Sequence, residues 1–243
     1  MINIIKLHFN FLLSKKTFII VLTVISISVL VDVYFSNYFI DQTVLIIESE
    51  YYKNEYLFES ISFIKFVIVI FSVFMSIESF IIIKYDYFLL SRISKFKFIT
   101  SKLATLVLIV LTLTLILSLI MYIVSLVLTP YFFPGDVDIV LIGKLLLFGF
   151  YYTVISVLVV SYINNLFSLI IVLMGYFVSI TSVDYLAVKE EVGSIVYIIQ
   201  LLFIDLTNYK DIGYDFLYNE LIILSFITVF LIKIVTVYLN RDI

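Results

Sequence analysis

Apolar residues run in long stretches along this chain, and polar residues gather between the stretches instead of alternating with them. A helix rising about 1.5 Å per residue needs roughly 20 apolar residues to cross about 30 Å of hydrocarbon. Six stretches meet that length: 17–39, 61–83, 103–129, 139–163, 166–183 and 221–239, with Pro130 closing the third. A seventh apolar run, 195–206, is interrupted by Gln200 and Asp205. It is only about a dozen residues long, which predicts a re-entrant or interfacial segment rather than a span. At the N-terminus Asn3, Lys6, Asn10 and Ser14 recur at three- and four-residue steps in an otherwise apolar sequence. That spacing places a narrow polar stripe, with His8 on the same polar side, on a helix lying in the plane of an interface. Lys15 and Lys16 precede an apolar stretch too long for a signal-peptide core, and no small-residue cleavage motif follows, so it is expected to be retained as the first span.

The expected fold is therefore an all-α integral membrane protein. An interfacial amphipathic helix over 1–16 leads into one six-span transmembrane domain over 17–243, with a cytoplasmic loop at 84–102 and an extracellular segment at 184–220. Composition agrees: 64% of the 243 residues are hydrophobic and 14% charged, whereas soluble domains carry roughly a quarter charged residues.

Charge gives the orientation. With the N-terminus inside, the inner segments hold Lys6, Lys15, Lys16, Lys84, Arg92, Lys95, Lys97, Lys102 and Arg241, against Lys53, Lys189 and Lys210 outside. The positive-inside rule thus predicts that both termini are cytoplasmic. Acids concentrate on the other side, among them Glu48, Glu50, Glu55, Glu59, Asp136, Asp138, Glu190, Glu191, Asp211 and Asp215. The net charge of -3 matters less than this distribution. Abundant Ile, Phe, Tyr, Asn and Lys without Trp fits an AT-rich coding sequence, and points to the cytoplasmic membrane of a low-GC bacterium.

The chain has no cysteine and one histidine, which excludes thiolate chemistry and histidine-rich metal sites. No metal site and no catalytic residues are expected. No G-x-x-x-x-G-K-[ST] phosphate loop is present, so nucleotide energy would have to come from another polypeptide.

The most informative stretch joins the second and third spans: SIESFIIIKYDYFLLSRISKFKFITSKL, residues 76–103. It packs Lys84, Asp86, Arg92, Lys95, Lys97 and Lys102 around an apolar insert, as an amphipathic helix at a cytoplasmic surface would. Basic residues there would also contact anionic lipid, at about 1 kcal/mol each. The stretch resembles the membrane subunits of type-2 ABC exporters: an acid at the inner end of the second span (Glu78), a second acid at Asp86, then LLSRIS from Leu89 to Ser94 and a closing lysine, Lys102. Leu90 stands where that family often has proline. The six-span layout and the basic interfacial helix match as well.

The resemblance implies that Asp86 to Lys97 is a coupling helix seated in a groove of a separate ATPase. Phe88, Leu89 and Leu90 would anchor it, and Ser91, Arg92, Ser94, Lys95, Lys97 and Lys102 would lie at or beside the contact. It further implies two ATPase copies carrying ATP and Mg, a second membrane subunit, identical or homologous, and alternating access that expels a cargo. The preferred cargo is an amphipathic toxin or antimicrobial peptide. This chain itself would bind no cofactor and no nucleic acid. The rival reading is a non-transporting immunity or scaffold protein of the bilayer.

Other polar positions have plainer explanations. Glu78 is either a gating group within the membrane or a partner of Lys84 or Lys102. Lys65, Lys144 and Lys233 fall within two turns of span ends, where snorkelling accounts for them. Stripes of Ser72, Ser76 and Ser79, of Thr114, Ser118 and Ser125, and of Ser168, Gly175, Ser179 and Ser182 predict close helix packing. Tyr51, Tyr52, Tyr56, Tyr151, Tyr152 and Tyr162 lie near predicted boundaries, as an aromatic belt would.

Overall fold

The computed structural model describes residues 49–80, 93–128, 139–163, 167–186 and 215–240, with helical positions scattered between 5 and 34. Side chains are described for 61–80, 93–123, 141–163, 167–178 and 223–240 and at the scattered positions. Five continuous helices result: α1 (Ser49–Phe80), α2 (Lys95–Leu128), α3 (Ile139–Tyr162), α4 (Phe167–Leu186) and α5 (Asp215–Leu239). Within the expected first span the described positions are helical, Thr23 Oγ1 donating to the Ile19 carbonyl at 2.9 Å. Ile25 packs on the core. The described residues contain no strand. The run 195–206 and most of 1–16 lie outside the described residues, although Ile5, Lys6 and Asn10 are helical.

Ile61–Phe80, Lys95–Ile123 and Leu141–Tyr162 are long and apolar enough to cross a membrane, and Phe167–Val178 and Ile223–Leu239 are shorter apolar helices. These elements are consistent with a membrane protein. The helices outrun the hydrophobic stretches. α1 begins at Ser49, inside what the sequence suggests is an acidic loop, and α5 begins at Asp215 rather than near Leu221. Nothing in 49–60 breaks a helix, because it holds neither proline nor glycine. At 34 residues α2 is about 51 Å long, well beyond about 30 Å of hydrocarbon.

Two close approaches set the register. Gly149 of α3 faces both Ile68 of α1 and Thr114 of α2, and four residues on, Thr153 of α3 meets Ser72 of α1, with the hydroxyl oxygens 3.4 Å apart. Helices α1 and α3 therefore run parallel. From Ile68 to Ser79 along α1 the α2 partner retreats from Thr114 to Lys102, so α2 runs antiparallel to both. Helix α3 is the hub, touching α1, α2, α4 and α5. Residues 151 to 157 of α3 are buried on every side, the mark of a helix enclosed by others.

Polarity in this bundle is reversed from that of a soluble one. Buried positions include Ser72, Ser76, Thr105, Thr114, Ser118, Thr153, Ser156 and Ser168, while α2 exposes Leu108, Leu115, Leu119 and Ile123 and α4 exposes Phe167, Ile170, Ile171, Met174 and Phe177. Several hydroxyls on both faces bond within their own helix. Inside, Thr114 donates to the Val110 carbonyl at 2.9 Å and Ser118 to that of Thr114 at 2.8 Å. Outside, Thr112 donates to the Leu108 carbonyl at 2.7 Å and Thr228 to that of Leu224 at 2.8 Å. Bonding to the carbonyl one turn back frees these hydroxyls from any need for water.

Two expectations change here. Tyr151 and Tyr152 do not join a boundary belt: both are fully buried within α3, Tyr152 tilted against Phe148 at 4.4 Å and edge-on to Tyr176 at 5.7 Å. Tyr162, at the α3 terminus, is exposed where a belt residue belongs. Lys65 does not snorkel from a helix end. Because α1 starts far upstream, Lys65 lies mid-helix and only 5% exposed.

Candidate functional site

The helix directions collect Phe80, Lys95, Tyr162, Phe167 and Leu239 at one end of the bundle, the end flanked in sequence by Lys84, Arg92 and Arg241. This basic end carries the stretch singled out above. Of its residues, Asp86, Phe88, Leu89, Leu90, Ser91 and Arg92 lie outside the described residues, while Glu78, Ser94, Lys95, Lys97 and Lys102 are placed.

Helix α2 starts immediately after Ser94, whose carbonyl accepts the Phe98 amide at 3.1 Å. Lys95 and Lys97 are thus in its first turn and Lys102 in its second, all on one continuous 34-residue helix. Helix α2 thus takes in the part of the expected loop 84–102 from Lys95 onward, while 84–92 lies outside the described residues. The segment contains no proline or glycine after Ser94 to separate these first turns from the rest of α2. Thr100 Oγ1 reaches back to the Phe96 and Lys97 carbonyls at 2.8 and 3.2 Å, and Ser101 to that of Lys97 at 2.6 Å.

The first turn has two faces. Phe98 and Ile99 are buried against the bundle, while Ser94, Phe96 and Lys97 project outward, Phe96 at 54% exposure. Phe96 escapes sequence reasoning, since a phenylalanine between lysines looks like any apolar residue of an amphipathic stretch. Only the helix phase shows that it stands beside Lys97 and away from Phe98. An exposed ring beside ammonium groups suits either a protein groove or the headgroup level of a bilayer.

Lys102 faces the other way. It is 6% exposed, and its ammonium donates to the Ser79 carbonyl at 2.7 Å, in the last turn of α1. A lysine donor makes this a charge-assisted hydrogen bond to a helix carbonyl. The same ammonium lies 4.9 Å from the Phe98 ring centre and 5.9 Å from that of Phe80, within cation–π range. Phe80 packs on Tyr238 of α5 at 5.2 Å. The sequence reading put Lys102 at a partner contact, but this lysine is engaged inside its own chain. Glu78, half-buried, precedes the carbonyl that Lys102 bonds.

The hydroxyl stripes lie between helices, as the 3.4 Å approach of Ser72 to Thr153 illustrates. Ser125, Ser179 and Ser182 have no described side chains. Comparison with known protein families, with curated proteins and with solved structures finds no match to this chain.

Proposed function

We propose that this chain is the membrane subunit of an ATP-driven exporter. It would cross the cytoplasmic membrane six times with both termini inside, and pair with a second, identical or homologous, membrane subunit and two copies of an ABC ATPase that supply ATP and Mg. The observation that carries the proposal is the start of α2. The turn bearing Ser94, Lys95, Phe96 and Lys97 opens the third-span helix at the basic end, with Phe96 and Lys97 facing outward while Phe98 and Ile99 are buried. A helix continuous with a span transmits displacement along its axis without a hinge, and its basic, aromatic tip offers a partner both an anchor and charge pairing. ATP binding would close the ATPases, push on this tip and on the preceding segment from Asp86 to Arg92, and tilt α2 against α3. The cargo is proposed to be an amphipathic toxin or antimicrobial peptide. That choice rests on the family resemblance alone.

Two measurements test this reading. Because the chain has no cysteine, single cysteines report sidedness cleanly. In intact cells a membrane-impermeant maleimide should label Asp138→Cys and leave Ser94→Cys unmodified until the cells are opened; the opposite pattern would invert the topology. The second is co-purification. Tagged protein should bring down an ABC ATPase, and the double reversal Arg92→Glu, Lys95→Glu should reduce that association by about tenfold or more, since mismatched charges across an interface cost several kcal/mol. A chain that brings down no ATPase, and keeps its function with both charges reversed, is not an exporter subunit.

A further inference from the structure

The Lys102 bond ties together the two flanks of the connection 81–94. Its acceptor, the Ser79 carbonyl, sits at the end of α1, just before the connection; the lysine sits in the second turn of α2, just after it. Phe80 extends the same junction to Tyr238 of α5, and Phe98 closes it from the α2 side. Helices α1 and α2 therefore meet at one ammonium group, and the Phe80–Tyr238 contact adds α5 one step away. The bond is charge-assisted and buried, the class of hydrogen bond that is both stronger and more costly to lose. The Ser79 hydroxyl is buried without a hydrogen-bond partner, so Ser79 takes part through its backbone carbonyl.

We infer that Lys102 is a positioning residue: it locks the two stems of the basic connection, and α5 with them, into a single lever that moves as one body. A force applied at Phe96 and Lys97 then reaches α1 and α5 together with α2, instead of bending α2 alone. Without the ammonium, the hydrogen bond from α2 to the Ser79 carbonyl and the cation–π contact with Phe80 are both lost at this end of the bundle. This inference deepens the exporter reading and rests on it for its purpose, but not for its geometry.

The test separates the two. Spin labels on Lys97→Cys of α2 and Asn240→Cys beyond α5, both exposed positions, report the α2–α5 distance in the full chain reconstituted in lipid nanodiscs without any ATPase. With Lys102 intact the distance distribution should be a single narrow peak. Lys102→Met, which keeps length and apolar bulk, should add a second, displaced population, shifting the locked-to-unlocked ratio by about tenfold, the order of one charge-assisted hydrogen bond. Lys102→Arg retains a donor and should restore the single peak. Ser79→Ala should leave the peak unchanged, because it removes only the unbonded hydroxyl. An unaltered distribution in Lys102→Met would overturn the inference. Should that variant fail to fold, Phe98→Leu keeps the hydrogen bond but removes one ring face, and must broaden the peak for the inference to stand. A second arm uses the complex: Lys102→Met should hold the ATPase within about twofold of the parent affinity while cargo-linked ATP turnover falls about tenfold. An ATPase lost altogether in this variant would contradict a positioning role. Failure of the exporter reading looks different: no ATPase associates even with the unsubstituted chain, whatever the distances show.

Discussion

Gly149→Val should prevent the middle of the bundle from closing, and Gly149→Ala should destabilise it by about 1–3 kcal/mol. A Cβ at this position would stand 2.8 Å from Thr114 Oγ1, 3.5 Å from Ile68 Cγ2 and 3.7 Å from Thr114 Cβ. The first distance is a clash, and Thr114 has little room to yield. It is fully buried, β-branched, and its hydroxyl is bonded to the Val110 carbonyl. Helix propensity pulls the other way, since alanine is favoured over glycine by about 1 kcal/mol. The clash wins, because three helices must part to relieve it. Thermal unfolding in a mild detergent should show the loss. Adding Thr114→Ala removes the offending oxygen and leaves the ordinary contact with its Cβ, so the double variant should recover most of the stability, a coupling of about 1 kcal/mol or more. Gly143 supplies the control. Nothing lies within 4 Å of a Cβ there, and Gly143→Ala should be neutral or stabilising by up to about 1 kcal/mol. Equal unfolding temperatures for Gly149→Ala and Gly143→Ala would mean that α3 does not approach α1 and α2 as closely as described.

Hydropathy reveals where the helices are because a span must be apolar over a fixed length, and α1, α2, α3, α4 and α5 all lie on stretches picked out that way. It does not reveal where they stop. Residues 49–60 and 95–102 are polar enough to look like loops, yet a helix continues into polar surroundings as long as no breaker stops it, and none does. The stripes of serine and threonine predict close packing, and Ser72 against Thr153 is such a contact. The same residues do not say which helices meet, since a back-bonded hydroxyl has the same sequence signature on an inner face, as in Thr114, and on an outer one, as in Thr112. For Tyr151 and Tyr152 the sequence is less ambiguous. The predicted bounds 139–163 already put both near mid-span, where a belt residue does not belong, and the enclosure of α3 by its neighbours makes them core residues. Lys102 was legible as a basic residue at the right place but not as a buried one, because its acceptor is a backbone carbonyl, which every residue possesses.

Phe148→Ala should cost about 2–3 kcal/mol, less than the roughly 3–5 kcal/mol typical of a buried phenylalanine in a soluble core. Phe148 is fully buried, its ring 4.4 Å from that of Tyr152 and 6.3 Å from that of Tyr176. In a bilayer the surrounding hydrocarbon is as apolar as the core, so almost nothing is gained by moving the ring out of lipid; the cost that remains is the cavity and the lost ring contacts. The outward stripe of α2 makes the reciprocal case. Leu115 is exposed, and Leu115→Ala should change stability by less than about 0.5 kcal/mol, as surface substitutions do. Leu115→Lys should be the severe one there, at about 2–4 kcal/mol, because a charge in the hydrocarbon must be paid for by snorkelling or thinning of the bilayer. For a stripe facing water the order would reverse, and Leu115→Lys would be harmless. Reversible unfolding of the three variants in lipid bicelles therefore measures the proposed embedding directly: Leu115→Lys at or above Phe148→Ala in cost places α2 against hydrocarbon, and a neutral Leu115→Lys removes it from the membrane surface.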